Sequence, residues 1–343
     1  MDGIEQLSQF PQRLRGGVAA LGNFDGVHRG HQAIMGEAGR LARAMDAPLV
    51  IVTNEPHPRQ VFQPDAAPFR LTTAAERTDL LAQFGVDGVF SLPFDRMVAR
   101  MPAQDYVTQI LLEGLGVIHV VAGYSYRFGQ DRGGGPDVLA WMGEMEGFGV
   151  TILPPVGDAG TVFSSTDIRH ALKDGAPRRA ADMLGHWWSI IGRVGQGDRR
   201  GGTIGFPTAN IVLGERLRPA LGVYAVRARL CDQGHGQGQW LDGVANLGRR
   251  PTFDKADDLL EVHLFDFAGD IYGRALQVEL VDFIRPERKF DGLEALKAQI
   301  AKDCDTARAR LADPANARSH LSPPTLDDYL AAHPASPGSQ SGY

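Results

Sequence analysis

The sequence predicts a two-part chain. An α/β half, with a parallel sheet covered by helices on both faces, precedes a small antiparallel sandwich or β-barrel with a terminal helix. Three observations predict it. Up to about residue 184, apolar runs of strand length alternate with helical stretches, as in α/β folds with buried parallel strands. From Trp187 to Ile284 the rhythm changes to short strands broken by glycine and proline, with no amphipathic helix. A length of 343 residues also suits two domains better than one.

In chain order, Gly17–Leu21 reads as a buried strand and the stretch from about Gly30 to Ala44 as a helix. Pro48–Thr53 is again a strand, Ala75–Phe84 a helix and Gly88–Leu92 a strand. Gln104–Leu115 then reads as a helix and Ile118–Gly123 as a strand. Val138–Phe148 and Val150–Leu153 form the last such pair, and a helix covers Asp167–Lys173. The whole half is therefore expected to be Rossmann-like. In the second half, Val223–Ala228, Leu259–Phe265 and Ala275–Phe283 are the clearest strands. Leu293, Leu296, Ile300, Cys304, Ala307 and Leu311 make one apolar helical stripe, with Asp291 and Glu294 as its N-cap pair. From Asp313 onward, prolines among serines and alanines suggest a loosely ordered tail. The expected modules are residues 1–183 and 184–312, with 313–343 as the tail.

Composition removes several function classes. Hydrophobic residues make up 43% and charged residues 22%, values of a globular chain. There is no apolar run of 18 residues, so no membrane helix is expected, and the acidic start Met1-Asp2-Gly3-Ile4-Glu5 is unlike a signal peptide. Two distant cysteines, Cys231 and Cys304, fit a reducing cytoplasm and exclude a disulfide framework or zinc ribbon. A net charge of −6 argues against nucleic acid as a partner, because such binders run basic. Self-association is left open by the sequence.

The strongest local signal is Gly22-Asn23-Phe24-Asp25-Gly26-Val27-His28-Arg29-Gly30-His31, where the first strand passes into the first helix. Ligands of open parallel sheets bind at the carboxyl ends of strands, and a helix N-terminus there attracts phosphate. Two histidines three apart share a helix face and can stabilise charge on a leaving pyrophosphate. The plain alternative is a glycine-rich turn with two partly exposed histidines; zinc lacks a third ligand. Ser164-Ser165-Thr166-Asp167-Ile168-Arg169 offers hydroxyls and a guanidinium to phosphates, or simply an N-cap run.

These segments resemble one family. The first is similar to the HxGH signature of nucleotidyltransferases, in the form carried by prokaryotic bifunctional riboflavin kinase/FAD synthetases. Ser164 to Arg169 is similar to that family's Ser-Ser-Thr-x-Ile-Arg motif. Glu55-Pro56-His57-Pro58-Arg59 and Gly123-Tyr124-Ser125-Tyr126-Arg127-Phe128-Gly129 also match family segments. Two departures stand out: Asn54 replaces the usual phenylalanine, and Ser125 replaces Asp or Asn. The resemblance implies that Gly22, Asn23, Phe24, Asp25, Gly26, Ser164, Ser165, Thr166 and Arg169 bind the ATP triphosphate. His28 and His31 would polarise it, and Ser125 and Arg127 would lie near flavin or nucleotide.

In the second half, Gly192-Arg193-Val194-Gly195-Gln196-Gly197 leads to Gly205-Phe206-Pro207-Thr208-Ala209-Asn210. A hydroxyl and an amide at a proline bend can ligate a hard cation and phosphate, or can close local backbone bonds. The strand Leu260-Glu261-Val262-His263-Leu264 alternates, so Glu261 and His263 share a face. A carboxylate fixed there can accept a proton from a hydroxyl that attacks a γ-phosphate; an exposed strand glutamate is the plain alternative. The resemblance assigns Gly197, Thr208 and Asn210 to ATP, the last two also to Mg²⁺, and Glu261 as the base. Asn246 and Arg249, in Gly243 to Phe253, and Arg285 would be flavin-proximal.

The implied activity is bifunctional: ATP-dependent phosphorylation of riboflavin to FMN, then adenylylation of FMN to FAD with release of pyrophosphate. Its partners would be the small molecules riboflavin, FMN and ATP, with no nucleic acid and no membrane. Two rivals stay open: a kinase with a weakened N-terminal half, and a non-enzymatic flavin or nucleotide sensor.

Overall fold

The computed structural model describes residues 3–158, 160–195, 205–231, 238–251 and 256–334. They form two compact units, one from residues 1–66, 74–163 and 323–343, the other from 67–73 and 164–322.

The first unit is built on strands β1 (Gly3–Ile4), β2 (Val18–Leu21), β3 (Leu49–Glu55), β4 (Gly88–Pro93), β5 (His119–Gly123) and β6 (Gly149–Leu153). All pair in parallel, in the order β1-β4-β3-β2-β5-β6. Its helices are α1 (Arg29–Ala44), α2 (Pro58–Phe62), α3 (Ala74–Phe84), α4 (Ala103–Asp105), which continues as a π-helical stretch Tyr106–Gly114, and α5 (Pro136–Glu146). A short hairpin, β7 (Gly157–Asp158) and β8 (Thr161–Val162), follows.

Strand alternation builds two cores. Val18, Ala20 and Ile51 pack with Met35, Ala38 and Leu41 of α1 and with Leu81 and Phe84 of α3. Their neighbours Ala19, Leu21 and Val52 face Ile110, Leu111, Leu139 and Met142 on the other side. Both faces are buried, which is why the strands read as unbroken apolar runs. The strand order reverses at β2, so the crevice at the carboxyl ends of β2 and β5 is the topological switch point. Leu21 pairs with both Val52 and Ala122, so the loops leaving these three strands start side by side.

The second unit contains α6 (Ser165–Lys173), α7 (Pro177–Leu184), strands β9 (Ser189–Arg193), β10 (Ala209–Val212), β11 (Gly222–Cys231), β12 (Leu241–Pro251), β13 (Ala256–Leu264) and β14 (Ala275–Pro286), and α8 (Leu293–Ala312). The strands run antiparallel in the order β10-β13-β12-β11-β14-β9. A hydrogen bond from Gly195 N to Asn210 O, 2.9 Å, joins the two edges and closes the sheet towards a barrel. Tyr224, Val226, Leu260, Val262, Val278 and Leu280 are fully buried. The alternate residues Val223, Ala225, Val244 and Val281 pack under Ala307 and Leu311 of α8.

Two expectations for α8 are corrected. Only the lower end of its apolar stripe, Ala307 and Leu311, is buried, whereas Leu293 is 51% exposed. The N-cap is Gly292, with no side-chain cap; its φ of 97° turns the chain into the helix one residue after Asp291.

The loosely ordered tail expected from residue 313 is also corrected as far as residue 334. Arg227 donates to Asn316 O at 2.8 Å, the buried Asn316 donates to Arg310 O at 2.9 Å, and Arg318 pairs with the buried Glu279 at 3.1 Å. Helix α9 (Leu326–Ala332) then joins the first unit, opened by a reciprocal capping box between Thr325 and Asp328. Leu326 and Tyr329 press against Gly39 and Gly36 of α1, where a Cβ would collide with them. Arg43 pairs with Asp327 at 2.5 Å, and Arg40 donates to His333 O at 2.8 Å. Specific pairing overrides the low-complexity composition.

Candidate active sites

In the first unit, the turn between β2 and α1 brings its two histidines together. His28 is the N-cap of α1, and its Nδ1 accepts from His31 N at 3.3 Å. With Nδ1 as acceptor, a neutral His28 carries its proton on Nε2. The two imidazoles stack at 3.6 Å between centroids, and Phe24 lies 5.1 Å from His31. Gly30 lets this packing be close, since a Cβ there would sit 3.0 Å from His28 Cε1. Phe24 and Val27 both hold positive φ, 50° and 42°, conformations that non-glycine residues adopt at a cost. Phe24, Asp25 and His28 are buried, and Gly22 and Asn23 half-buried, so the predicted loop is a fixed cradle. Its place is a helix N-terminus at the switch point, where backbone N–H groups favour an anion.

Sequence reading missed Arg77. It lies on α3, is 1% exposed, and donates to Asn23 O at 3.2 Å, Asn54 O at 3.4 Å and Glu55 Oε2 at 2.9 Å. Its only sequence signal was an arginine in a helix otherwise expected to be amphipathic.

The loop after β5 carries Ser125 and Arg127, both exposed. Arg127 Nη1 donates to Tyr126 O at 2.7 Å. The hydroxyls of Tyr126 and Tyr106 meet at 3.3 Å, and burial raises both, Tyr106 to about 12 and Tyr126 well above its ordinary value. Both phenols are therefore neutral at physiological pH.

Ser164, Ser165, Thr166 and Arg169 belong to the second unit. Ser164 is the N-cap of α6; its Oγ accepts from Asp167 N at 3.1 Å and donates to Asp167 Oδ2 at 2.6 Å. Arg169 Nε donates to Phe69 O at 2.8 Å, and the guanidinium lies over the Phe69 ring. The capping alternative raised for this run therefore describes Ser164.

The second unit also holds a cavity of about 510 Å³. Register explains its lining. Asn210 on β10 pairs with Glu261 on β13, Glu261 with Asn246 on β12, Asn246 with Val223 on β11, and Val223 with Arg285 on β14. Directly opposed residues project to the same face, so this single row crosses five strands and all five side chains line the cavity. Thr208 and Arg249 line it too, as do Ile300 and Asp303 of α8. Glu261 is exposed to the cavity, whereas Asn210 is buried, and its Oδ1 has no hydrogen-bond partner among the described residues. Asp303 grips Arg285 through both carboxylate oxygens, at 2.7 to 3.0 Å. Gly197, expected to bind ATP, lies outside the described residues.

Comparison with known proteins finds a separate family model in each half of the chain. A family model for FAD synthetase matches residues 10–167 and one for riboflavin kinase matches residues 184–311. Bifunctional riboflavin kinase/FMN adenylyltransferases align over nearly the whole chain. That of Escherichia coli K12 is 44% identical over 89% of this chain and 96% of its own. That of Pseudomonas fluorescens is 42% identical over 91% and 99%, and that of Bacillus subtilis 37% over 83% and 90%.

The chain belongs to the bifunctional riboflavin kinase/FAD synthetase family.

The FAD synthetase match contains the His28/His31 turn, and the riboflavin kinase match contains the five-strand row. A solved structure described as a macrolide-efflux protein from Streptococcus pneumoniae has this family's fold: TM-score 0.79, 33% identity, 90% of this chain and 98% of its own. Among the described residues of the present family member, no helix is long and apolar enough to cross a membrane.

Proposed function

We propose that the cavity on the barrel is where this bifunctional enzyme phosphorylates riboflavin, and that the β2–α1 turn is where FMN is adenylylated. The observation that carries the reading is the registered row Asn210, Glu261, Asn246, Val223 and Arg285 along one cavity. The kinase and adenylyltransferase modules are taken as residues 184–312 and 1–183.

In the kinase, Glu261 accepts the proton of the ribityl hydroxyl as its oxygen attacks the γ-phosphorus of ATP, and ADP leaves. Asn246, Arg249 and Arg285 are proposed to flank the flavin, and Gly197 to approach ATP. Mg²⁺ belongs to the proposal, because the buried, unpartnered Oδ1 of Asn210 and the hydroxyl of Thr208 are hard oxygen donors at one cavity rim. When bound, such an ion neutralises triphosphate charge.

In the adenylyltransferase, a phosphate oxygen of FMN attacks the α-phosphorus of a second ATP, and pyrophosphate leaves. His28 and His31 donate hydrogen bonds that stabilise the charge on the leaving group, and the Gly22–Gly26 backbone cradles it. Ser164, Ser165, Thr166 and Arg169 are proposed as further phosphate ligands on the motif resemblance alone, and Ser125 and Arg127 as neighbours of the flavin or nucleotide. The two free cysteines support a cytoplasmic setting.

The test is to incubate the protein with riboflavin, ATP and Mg²⁺ and to separate the flavins by chromatography. FMN followed by FAD is expected. Accumulation of FMN alone would favour the kinase-only reading, and unchanged riboflavin would overturn both assignments.

A further inference from the structure

The β2–α1 turn is strained at Phe24 and Val27, yet adenylyl transfer needs its donors fixed to a fraction of an ångström. Three side-chain hydrogen bonds tie it to the carboxyl end of β3 and to α3, and all three converge on Asn23. Its carbonyl accepts from Arg77 Nη1 and from Thr53 Oγ1, both at 3.2 Å. Its side-chain Oδ1 accepts from Asn54 Nδ2 at 3.2 Å. Arg77 also donates to Asn54 O at 3.4 Å, so one guanidinium spans the loop and the strand end that grips it.

Arg77 is out of place for a packing residue. It is 1% exposed on a helix that also buries Glu76, Leu81 and Phe84, and the strand-end Glu55 faces it at 2.9 Å. A buried ion pair contributes little net stability against an apolar replacement, so stability alone does not account for it. What the Arg77 guanidinium does is tie the β2–α1 turn to the carboxyl end of β3. Asn54 adds a second tie to the same turn, through its side-chain amide donated to Asn23 Oδ1.

We infer that Asn54 and Arg77 are positioning residues for adenylyl transfer, acting through Asn23 to hold the turn that presents His28 and His31. The inference rests on the assignment of adenylylation to that turn. It places the control of loop geometry on the last residues of β3 and the first turn of α3, away from the histidines themselves.

A double-mutant cycle tests it, read as the single-turnover rate of FAD formation from FMN and ATP. Asn54→Ala should slow the wild type by roughly 2- to 13-fold, the range for one lost hydrogen bond. It should have almost no effect in an Asn23→Ala background, where the bond is already gone. Arg77→Lys keeps the charge but loses the forked reach; it should slow the rate at least as much as Asn54→Ala, with riboflavin phosphorylation unchanged. Equal slowing by Asn54→Ala in both backgrounds, or no slowing by either variant, would overturn the inference. His28→Ala/His31→Ala, run alongside, separates the two levels: if that variant still makes FAD at the wild-type rate, the site assignment has failed rather than the positioning.

Discussion

Asn210 and Glu261 stand directly opposite each other across β10 and β13, a buried amide beside a carboxylate open to the cavity. The proposed metal ligand and the proposed base are thereby held one strand spacing apart on one sheet. Glu261→Gln keeps the shape and removes the base. FMN formation should fall by ~10²-fold or more, with conversion of supplied FMN to FAD retained. Riboflavin turnover near the wild-type rate would remove Glu261 from the role.

The stacked pair His28 and His31 predicts the reciprocal loss. With both changed to alanine, FAD formation from FMN and ATP should disappear while riboflavin phosphorylation continues. Thermal melting should accompany the assay, because loss of both activities in a folded protein would contradict separate sites.

Ser125 sits exposed on the loop leaving β5, at the switch point, with a short hydroxyl in place of a longer carbonyl-bearing arm. If Ser125 forgoes one substrate hydrogen bond, the cost is roughly 2- to 13-fold in affinity, a weakening of adenylylation and not its loss. Wild type should therefore make FAD, and Ser125→Asn should make it at least as well. If wild type stops at FMN under excess ATP and Mg²⁺, and Ser125→Asn proceeds to FAD, the natural sequence is a kinase alone.

Glu279 predicts a pH dependence of stability. Burial pushes its carboxyl from 4.5 up to about 7, against the opposing pull of Arg318. The folded state then keeps a proton that the unfolded chain releases. The contribution is full below pH 4.5 and is lost as pH rises through 7, about 3 kcal/mol at most. Urea midpoints at pH 5, 6, 7 and 8 should fall more steeply for wild type than for Glu279→Gln. Parallel slopes would show that Arg318 keeps the carboxylate ionised throughout.

Much of this was legible in the sequence because it depends on periodicity. Val18–Leu21 and Leu49–Val52 are apolar at every position since both faces of a parallel sheet are covered. Glu261 and His263 share a face because strands alternate. Other features depend on partners distant in the chain, which no local pattern encodes. Arg77 matters through Asn23, which lies 54 residues away. Leu293 reads as core but is exposed, and α9 reads as disordered although Gly36 and Gly39 leave room for it on α1. Gly292 replaced Asp291 as the cap because a left-handed turn precedes the helix.

That last helix has a consequence for synthesis. The core formed by α1 and α3 is sealed by Leu326 and Tyr329, so it stays incomplete on the ribosome until the entire kinase module has been translated. The first unit to emerge is the last to be finished. A nascent chain interrupted after α8 carries every element of the barrel but leaves the partner face of α1 uncovered, so premature termination there bears first on the half that makes FAD.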